Sequence, residues 1–385
     1  MTAIAGRDEL NALRDSVRRV GEQFGHDYYL RTSEAADNAR ELWGALADIG
    51  ALGVAIPEEY GGGGQGLEAL TIVAEELAAA GCPLMLIALS PAVCATMLRE
   101  HGSEDQRRAW LPGLAAGEQV LGFAITEPDA GSNLHNIVTR ARYDGNDWVI
   151  TGSKHFVSHV DNADALVVVA RADGGPRQNE AGPKAFIVPT DAPGLEYSPI
   201  PVEIISPERQ YALFLDEVRV PGSAIIGGDA GMGALFAGLN PERIVSAALL
   251  NGIARYALDR AVSYAANRVV WSEPIGAHQA VAHPLASAAT RLQAAQGLTK
   301  EAARAADEGR LDGVGAAMAK LEASDTATAA LDAAIQTHGG NGMTREFGLA
   351  TLAGLVRLFR IAPVSQEMLL NHIAHKSLGL PRSYK

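Results

Sequence analysis

The chain has 385 residues, 48% of them hydrophobic, and 45 Asp and Glu residues outnumber 32 Lys and Arg residues to give a formal net charge of −13. A chain of this length can bury a large core and is expected to divide into two or three domains. The acidic balance argues against a nucleic-acid partner and against binding to an anionic membrane surface.

The two cysteines, Cys82 and Cys94, do not have the spacing of a metal site. So few thiols are typical of a reducing compartment, and we expect a cytoplasmic protein with both thiols free. Residues 1–9 lack the apolar core of a secretory signal. The longest apolar run, 84–98, is shorter than the ~20 residues of a membrane span, which favours a buried helix pair over a span.

In the first part of the chain, 1–119, apolar residues recur at the spacing of an amphipathic helix. The residues at this spacing include Leu10, Leu13, Val17, Val20, Leu42, Leu46, Ile49 and Leu52. Pro57 and the glycines of 61–64 interrupt this pattern. Another apolar helix is expected from Leu67 to Ala80. These segments predict an N-terminal helical domain over 1–119.

The apolar period changes to two between residues 120 and 231. Short runs of β-forming residues occur at 148–150, 165–170, 185–188, 213–215 and 218–220. The turn Asp144-Gly145-Asn146 indicates a hairpin. With no signal for a parallel crossover, this segment predicts a central antiparallel β-barrel or sandwich.

From 232 to 385 the chain is again helical and rich in alanine. Helices are expected over 241–268, 283–308, 314–338 and 349–377, which would form a C-terminal four-helix bundle. The fold class predicted for the whole chain is therefore α+β, in the order helical domain, β domain and helical bundle.

Two stretches in the β domain could build a ligand site. In the first, the sequence FAITEPDAGSN of 123–133 ends a short strand in a Pro turn, and Gly131 would allow the backbone to approach a ligand closely. In the second, WVITGSKHFVS of 148–158, period-two alternation would place Phe156 and Ser158 on one face. Each stretch on its own could also be an ordinary turn.

Together these stretches resemble the TEPxAGS loop and the NGxKxWIT-like strand of the acyl-CoA dehydrogenase family, with Phe156 and Ser158 in place of the usual Trp and Thr. The helix–β–helix order is similar to that family over essentially the whole chain. The resemblance implies bound FAD, and Ser132 would also contact the substrate. The FAD-binding positions that it implies in this part of the chain are Phe123, Ile125, Thr126, Gly131, Ser132, Phe156 and Ser158.

Two later stretches are similar to the family motifs RxxFGxPIxxxQ, at 268–279, and QxxGGxG, at 336–342. Read alone, Arg268 could be a helix-end arginine and the glycines a helix C-cap. The resemblance implies that both motifs reach the flavin of a neighbouring subunit in a homotetramer. Together with the segment 360–368, it adds the FAD-binding positions Arg268, Trp271, Gln279, Gln336, Gly339, Gly340, Ser365 and Glu367.

The segment 360–368 is where the family often reads IYEGTSxIQ, but Pro363 occupies the place of the usual catalytic Glu. Proline cannot accept a proton, and the other base position known in the family corresponds to Glu242. Read from the residues alone, Asn240 is an N-cap, Pro241 is the first helical residue, and Glu242 lies in a first turn where the helix dipole favours a carboxylate. The resemblance instead implies that Glu242 is the catalytic base and that Arg243 binds substrate.

The expected function is FAD-dependent conversion of an acyl-CoA to the trans-2-enoyl-CoA in fatty acid or lipid metabolism, with electron-transfer flavoprotein as the acceptor. One alternative is a flavin monooxygenase or oxidase of the same fold, against which Glu242 argues because such chemistry needs no carboxylate base. Another is a non-catalytic subunit of a heteromeric dehydrogenase, against which the retained motif residues argue. Acyl length and a carrier-protein thioester are left open by the sequence.

Overall fold

The structure of the protein, a computed structural model, describes residues 6–173, 182–228 and 231–383. The ends of the predicted outer domains, at residues 1 and 385, lie outside the described residues. The first helices form the N-terminal layer: α1 Arg7–Ala35, α2 Arg40–Asp48, α3 Gly66–Ala79, a π-helical segment Ala88–Cys94, α4 Ala95–His101 and α5 Glu104–Ala115.

A β-sheet follows these helices. Its strands are β1 Leu121–Ala124, β2 Arg140–Asp144, β3 Asp147–Ser158, β4 Ala165–Ala172, β5 Gly182–Pro189, β6 Leu195–Pro199, β7 Gln210–Pro221 and β8 Ile225–Ile226. The pairing order is β6-β7-β3-β2-β4-β5-β8, and β1 pairs with β4 beside this path. The strands at the two ends, β6 and β8, are not paired with each other, so the sheet is open.

The prediction of an antiparallel barrel is therefore wrong in two respects. The sheet does not close, and it is mixed, because β4 runs parallel to both β1 and β2. Hairpin signals in a sequence report pairing between consecutive strands such as β2 and β3. They carry no information on pairs between distant strands, which arise here because β4 returns beside β1 after the β2–β3 hairpin.

The C-terminal part contains three long helices and two short ones, together with a small hairpin: α6 Met232–Asn267, β9 Val269–Val270, β10 Glu273–Pro274, α7 Gln279–Asp307, α8 Gly313–His338, α9 Ala353–Leu358 and α10 Gln366–Lys376. The helix predicted over 349–377 is thus split. The break contains Pro363, and Ser365 then caps α10 by accepting a hydrogen bond from the Met368 backbone N–H. The predicted domain limits 1–119, 120–231 and 232–385 stay a prediction.

Strand β4 shows why the sheet is buried between two layers. Leu166, Val168 and Ala170 belong to one apolar core, whereas Val167 and Val169 belong to a second core. Because successive side chains of a strand point to opposite faces, a strand covered on both sides is apolar throughout. The second core also contains residues of α4, which precedes the sheet in the sequence, and of α6, which follows it. Helices from before and after the sheet therefore pack together over one of its faces.

Both cysteine thiols are free, as the sequence predicts, and both are buried. Burial raises the pKa of Cys82 to about 12, so this thiol stays protonated near neutral pH. Among the described residues, no helix combines the length and apolar character that crossing a bilayer requires. The cytoplasmic location stays a prediction.

A buried carboxylate joins the N-terminal helices to α6. Glu76 on α3 has a fully buried side chain, and its two oxygens accept hydrogen bonds from Arg255 of α6 at 3.0 and 2.6 Å. Arg14 and Arg18 of α1 also pair with this carboxylate. Although burial raises the pKa of Glu76, the hydrogen bonds and charge of Arg255 outweigh it and hold that pKa below its usual value.

We predict that Glu76→Gln lowers the free energy of unfolding by about 3 kcal/mol, because the arginines lose the charge that compensates their partial burial. Denaturant unfolding monitored by circular dichroism measures this loss. Glu100→Gln is the matched control, since Glu100 pairs with Arg99 at 2.9 Å but its side chain is 44% exposed. The control should lose less than about 1 kcal/mol. If Glu76→Gln lowered the free energy of unfolding no more than this control does, the buried Glu76 network would not be needed for stability.

Candidate functional site

The loop after β1 is held in place by a buried ion pair. Glu127 Oε1 lies 2.7 Å from Lys154 Nζ of β3, and both side chains are almost completely buried. Lys154 also donates to the Ile125 carbonyl at 3.0 Å, while Glu127 accepts the backbone N–H groups of Val138 and Thr139 at 2.7 and 3.0 Å. Burial lowers the pKa of Lys154 to about 8 against the opposing effect of Glu127.

Burial raises the pKa of Glu127, but its hydrogen bonds, first of all with Lys154, outweigh burial and leave the pKa below its usual value. The pair therefore fixes the loop to the strand and makes both motifs one structural unit. This ion pair is not among the features predicted from the sequence. The available signal was an acidic residue in the first motif and a lysine in the second, both inside otherwise β-forming stretches.

The outer part of this loop is accessible. Gly131 and Ser132 are exposed, and a Cβ added at Gly131 would meet no atom within 4 Å. Thr126 is half-buried, and its carbonyl accepts the His155 backbone N–H at 2.9 Å. The protein itself thus leaves open space over Gly131, which suits a loop that receives a ligand.

Phe156 and Ser158 flank the buried Val157, and the prediction that places them on one face stays a prediction because strand β3 is irregular here. The β3–β7 register shifts between Lys154 and Val157, and Phe156 has a φ of 56°. This bulge leaves the Phe156 ring 55% exposed. The Ser158 hydroxyl lies half-buried and exchanges hydrogen bonds with the Gln210 amide at 2.9 to 3.2 Å.

The first residues of the motif face inward. The Phe123 side chain is only 8% exposed and belongs to the second core, against which Ile125 packs. Phe123 pairs with Val167 in the β1–β4 ladder. Phe123 therefore offers little surface to a ligand in this structure.

Arg268 ends α6 and starts the β9–β10 hairpin. Its side chain is exposed, and Trp271 at the tip of the hairpin is 95% exposed with a φ of 62°. Gln279, the first residue of α7, is exposed as well. Val269 and Val270 beside Trp271 are exposed too, and a contiguous exposed apolar patch marks a place where another molecule or subunit can bind.

Arg268 also lines a cavity of about 640 Å³ whose walls come from α6, the end of α8 and Phe347. His338 forms one wall: its ring stacks on Tyr264 at 4.3 Å and its Nδ1 lies 2.8 Å from the Ala334 carbonyl. The neighbouring motif residues Gln336, Gly339 and Gly340 are exposed, and Gly339 has the positive φ that favours glycine. The lining residues are Asp259, Arg260, Ser263, Tyr264, Asn267, Arg268, His338 and Phe347.

Among the described residues that line this cavity, none belongs to the β1 loop. No hydrogen bond within residues 6–173, 182–228 and 231–383 joins the loop motif to Arg268 or Gln336. Ser365 and Glu367 lie on a third segment, where Ser365 is the N-cap of α10 and Glu367 is exposed in its first turn. The structure therefore brings the first two motifs together, and within the described residues no hydrogen bond joins them to the other motifs.

Glu242 is in the interior of a helix rather than in its first turn. Helix α6 begins at Met232 and continues through Pro241, so the predicted N-cap at Asn240 and helix start at Pro241 are wrong. The error has a plain cause: Pro is usual at a helix start, yet here packing on both sides carries the helix through it. The helix dipole at an N-terminus consequently does not explain this carboxylate.

The Glu242 carboxyl group is buried, with a residue exposure of 7%, and its Oε2 has no hydrogen-bond partner among the described residues. Burial raises the pKa of Glu242 to about 8, although the positive charges of Arg243 and Lys320 oppose the shift. A buried oxygen without a partner inside the protein is unusual and is available to a bound molecule.

Arg243 follows Glu242 and is half-buried. Its Nη1 donates to Asn240 Oδ1 at 2.8 Å, and its buried Nε has no partner within the part of the chain that the structure describes. Lys320 of α8 is completely buried and donates to the Val364 carbonyl at 2.8 Å. Sequence analysis did not identify Lys320, because a lysine in an alanine-rich helix carries no signal of burial.

Family models match all three parts of the chain. The acyl-CoA dehydrogenase N-terminal domain matches residues 7–118, the middle domain 122–218 and the C-terminal domain 229–378. The chain is 49% identical over 388 residues to acyl-CoA dehydrogenase FadE12 of Mycobacterium tuberculosis, with 100% of this chain and 99% of the relative covered.

Solved structures agree. A glutaryl-CoA dehydrogenase from Mycobacterium smegmatis in complex with FADH2 has a TM-score of 0.90 at 27% identity, covering 99% of this chain and 97% of that one. Butyryl-CoA dehydrogenase from Megasphaera elsdenii has a TM-score of 0.91 at 27% identity, covering 98% and 100%. The chain belongs to the acyl-CoA dehydrogenase family.

Proposed function

We propose that the protein is an FAD-dependent acyl-CoA dehydrogenase that converts an acyl-CoA thioester to the trans-2-enoyl-CoA, with Glu242 as the catalytic base. The observation that carries this proposal is the buried Glu242 carboxyl group, one oxygen of which has no hydrogen-bond partner in the described chain. Its pKa of about 8 is close to neutral pH, where a base is most effective.

In the proposed reaction the Glu242 carboxylate removes a proton from the α carbon, which breaks one C–H bond, while the hydrogen on the β carbon leaves with its electron pair. FAD, when bound, supplies the acceptor for that hydride. Arg243 stays protonated, and because its Nε has no partner among the described residues, it orients the substrate rather than moving a proton. Electron-transfer flavoprotein is the proposed final acceptor.

The residues present suit a flavin. Within one subunit, the open space above Gly131, the exposed Ser132 and the exposed Phe156 ring offer a loop and an aromatic wall for the isoalloxazine, beside Thr126 and Ser158. The cavity at Arg268 offers a guanidinium suited to phosphates and a stacked aromatic pair, close to Gln336 and the two glycines that follow it.

Because no described residue of the β1 loop lines the Arg268 cavity, we propose that this cavity belongs to the flavin of a neighbouring subunit, in a homotetramer. The exposed Trp271 and the exposed residues Gln279, Gly339 and Gly340 support this placement, since each would be covered in such an assembly. The main chain of Phe123 and Ile125, together with Ser365 and Glu367, completes the proposed flavin contacts.

We predict that Glu242→Gln retains FAD and binds acyl-CoA but reduces its flavin at least ~10²-fold more slowly, because the amide keeps the shape and loses the proton affinity. Anaerobic stopped-flow absorbance with a series of acyl-CoA thioesters measures the rate. A near-parental rate in this variant would exclude Glu242 as the base. Rapid flavin reoxidation by oxygen, with turnover that survives the substitution, would favour the oxidase alternative.

A second substitution in the same background checks the geometry. Pro363 is half-buried and precedes Val364. The Val364 carbonyl accepts a hydrogen bond from Lys320, and the negative charge of Glu242 acts on Lys320. Pro363→Glu combined with Glu242→Gln should regain part of the lost rate if both positions reach the same substrate carbon. No gain in a folded, flavin-loaded double variant would show that position 363 does not face the substrate.

We predict that Arg268→Ala lowers FAD content and subunit association together. In the proposed assembly, the Arg268 guanidinium of one subunit binds the FAD pyrophosphate of a neighbouring subunit. Absorbance ratios and sedimentation velocity measure the two properties on one sample. Arg310→Ala is the matched control, since Arg310 is also exposed and pairs only with neighbouring glutamates in the described structure. A flavin-loaded monomer would contradict the proposed assembly.

We predict that Arg243→Lys raises KM for acyl-CoA more than it lowers kcat, because lysine keeps the charge and loses the planar donor set. Steady-state kinetics with an artificial electron acceptor separate the two constants. Arg291→Lys, at a partly exposed arginine that pairs with Glu322, should change neither constant. A fall in kcat with KM unchanged would assign Arg243 to the chemical step.

A further inference from the structure

The place of Ser158 in the proposed flavin site depends on what holds the chain just after β3. Ser158 is the last residue of β3 and is paired with Gln210, the first residue of β7. The next residue, His159, has a φ of 63° and a side chain that is almost completely buried. Its backbone N–H donates to the Arg209 carbonyl at 2.9 Å. The regular strand therefore ends at Ser158, and the chain turns sharply at His159.

The turn that follows, the short 3-10 helix Val160–Asn162, is weakly held by its own main chain. The backbone nitrogen of Asn162 lies 3.4 Å from the His159 carbonyl oxygen, and that of Ala163 lies 3.4 Å from the Val160 carbonyl oxygen. Both distances exceed the ~2.9 Å that is usual for such hydrogen bonds. Other contacts are therefore needed to fix this turn.

Those contacts come from the N-terminal helices. Asn38, in the connection between α1 and α2, donates from Nδ2 to Asp161 Oδ2 at 3.3 Å. Arg40, the first residue of α2, donates from Nη2 to Asn162 Oδ1 at 2.6 Å. Two nearby residues of the helical layer thus bind two adjacent residues of the turn.

The helical side of this contact has a firm base. Ala39 and Leu42, on either side of Arg40, are fully buried in the same apolar core. Asn38 and Ala39 have φ values of 50° and 49°, a region that is narrow for residues other than glycine. The guanidinium of Arg40 itself is exposed, but it extends from a backbone whose position is set by packing.

Asn162 passes the contact on to His159. A guanidinium has no acceptor, so the amide atom that faces Arg40 is the oxygen, and the amide nitrogen then lies 3.3 Å from His159 Nε2. Since that nitrogen can only donate, Nε2 is the acceptor and the imidazole proton is on Nδ1. Burial lowers the pKa of His159 to about 4 against the opposing charge of Asp161, so the ring is neutral.

This hydrogen bond is decisive for the orientation of the ring. His159 Nδ1 is buried and has no partner in the described parts of the chain, so Nε2 carries the hydrogen bond that orients the imidazole there. The hydrogen bonds from Arg40 to Asn162 and from Asn162 to His159 form a relay. It leads from the N-terminal helices to the residue directly bonded to Ser158.

We propose that Arg40, Asn162 and His159 are positioning residues that hold the turn after β3 from the N-terminal helices and thereby fix Ser158 at the flavin. This inference rests on the proposed contact between Ser158 and the flavin. A misplacement of about 1 Å in a site can cost on the order of 10²-fold in rate. The relay acts on Ser158 through its neighbour, so a smaller effect is expected.

The first test compares flavin-loaded Arg40→Ala, Asn162→Ala and the double variant with the parent. Each should retain FAD, change its visible spectrum and midpoint potential in the same direction, and reduce it with acyl-CoA about fivefold more slowly. The double variant should be no worse than either single one, and Arg40→Lys, which keeps a donor, should recover part of the rate. Arg19→Ala is the control, because Arg19 is also exposed and its side chain bonds Ser16 on its own helix.

Parental spectrum, potential and rate in Arg40→Ala would overturn the relay, as would additive effects in the double variant. Arg40 is exposed, so this variant decides the question even if Asn162→Ala does not fold. A denaturant-unfolding cycle checks the bond without substrate. Asn162→Ala should lower the folding equilibrium constant about threefold less in the Arg40→Ala background than in the parent, and equal losses would overturn the contact.

Ser158→Ala, measured in the same series, separates the relay from the flavin contact on which it rests. A changed flavin spectrum and potential in Ser158→Ala, with parental values in Arg40→Ala, would overturn the relay alone. Parental values in Ser158→Ala would overturn the proposed flavin contact of Ser158 and, with it, the role of the relay. Changes in both variants, with a parental Arg19→Ala, are the expected result.

Discussion

The burial of carboxylates is the constraint on which the arrangement of this protein depends. A carboxylate removed from water must be paired or must take up a proton, and each of the three central cases here settles that requirement differently. Glu76 is surrounded by arginines from two helices, and Glu127 has a lysine and two backbone N–H groups. Glu242 has an oxygen without a partner in the described chain. The first two carboxylates organise the structure, and the third is left available to a ligand.

Local signals predicted the parts of the fold that local interactions determine. The helical period of the first 119 residues, the alternation around Trp148 and the turn at Gly145 correspond to helices, a long strand and a hairpin in the structure. The four motifs also place the exposed loop at Gly131 and the exposed arginine at Arg268. In each case the deciding residues lie within a dozen positions of each other, so their pattern is visible in one stretch of sequence.

The features that were missed depend on contacts between distant residues. β1 pairs in parallel with β4, although the β2–β3 hairpin separates these two strands in the sequence. The residues of neither strand indicate which strand it pairs with. The continuation of α6 through Pro241 is similar, because packing against both cores outweighs the preference of proline for a helix start. The burial of Lys154 and Lys320 follows from the same tertiary contacts. Lysine is rarely buried, and sequence alone favours the exposed alternative.

The position of Glu242 within α6 decides its chemistry. In a first turn, free N–H groups and the helix dipole would stabilise the carboxylate and lower its pKa, which would make a weak base. In the helix interior those N–H groups are already bonded, and burial raises the pKa from 4.5 to about 8. Because the folded-state pKa lies above the unfolded value, the contribution of this group to stability is complete below pH 4.5 and is lost as the pH rises through about 8. At neutral pH the folded protein therefore favours the protonated acid, and the carboxylate that the proposed reaction requires exists only to the extent that the positive charges of Arg243 and Lys320 offset its burial.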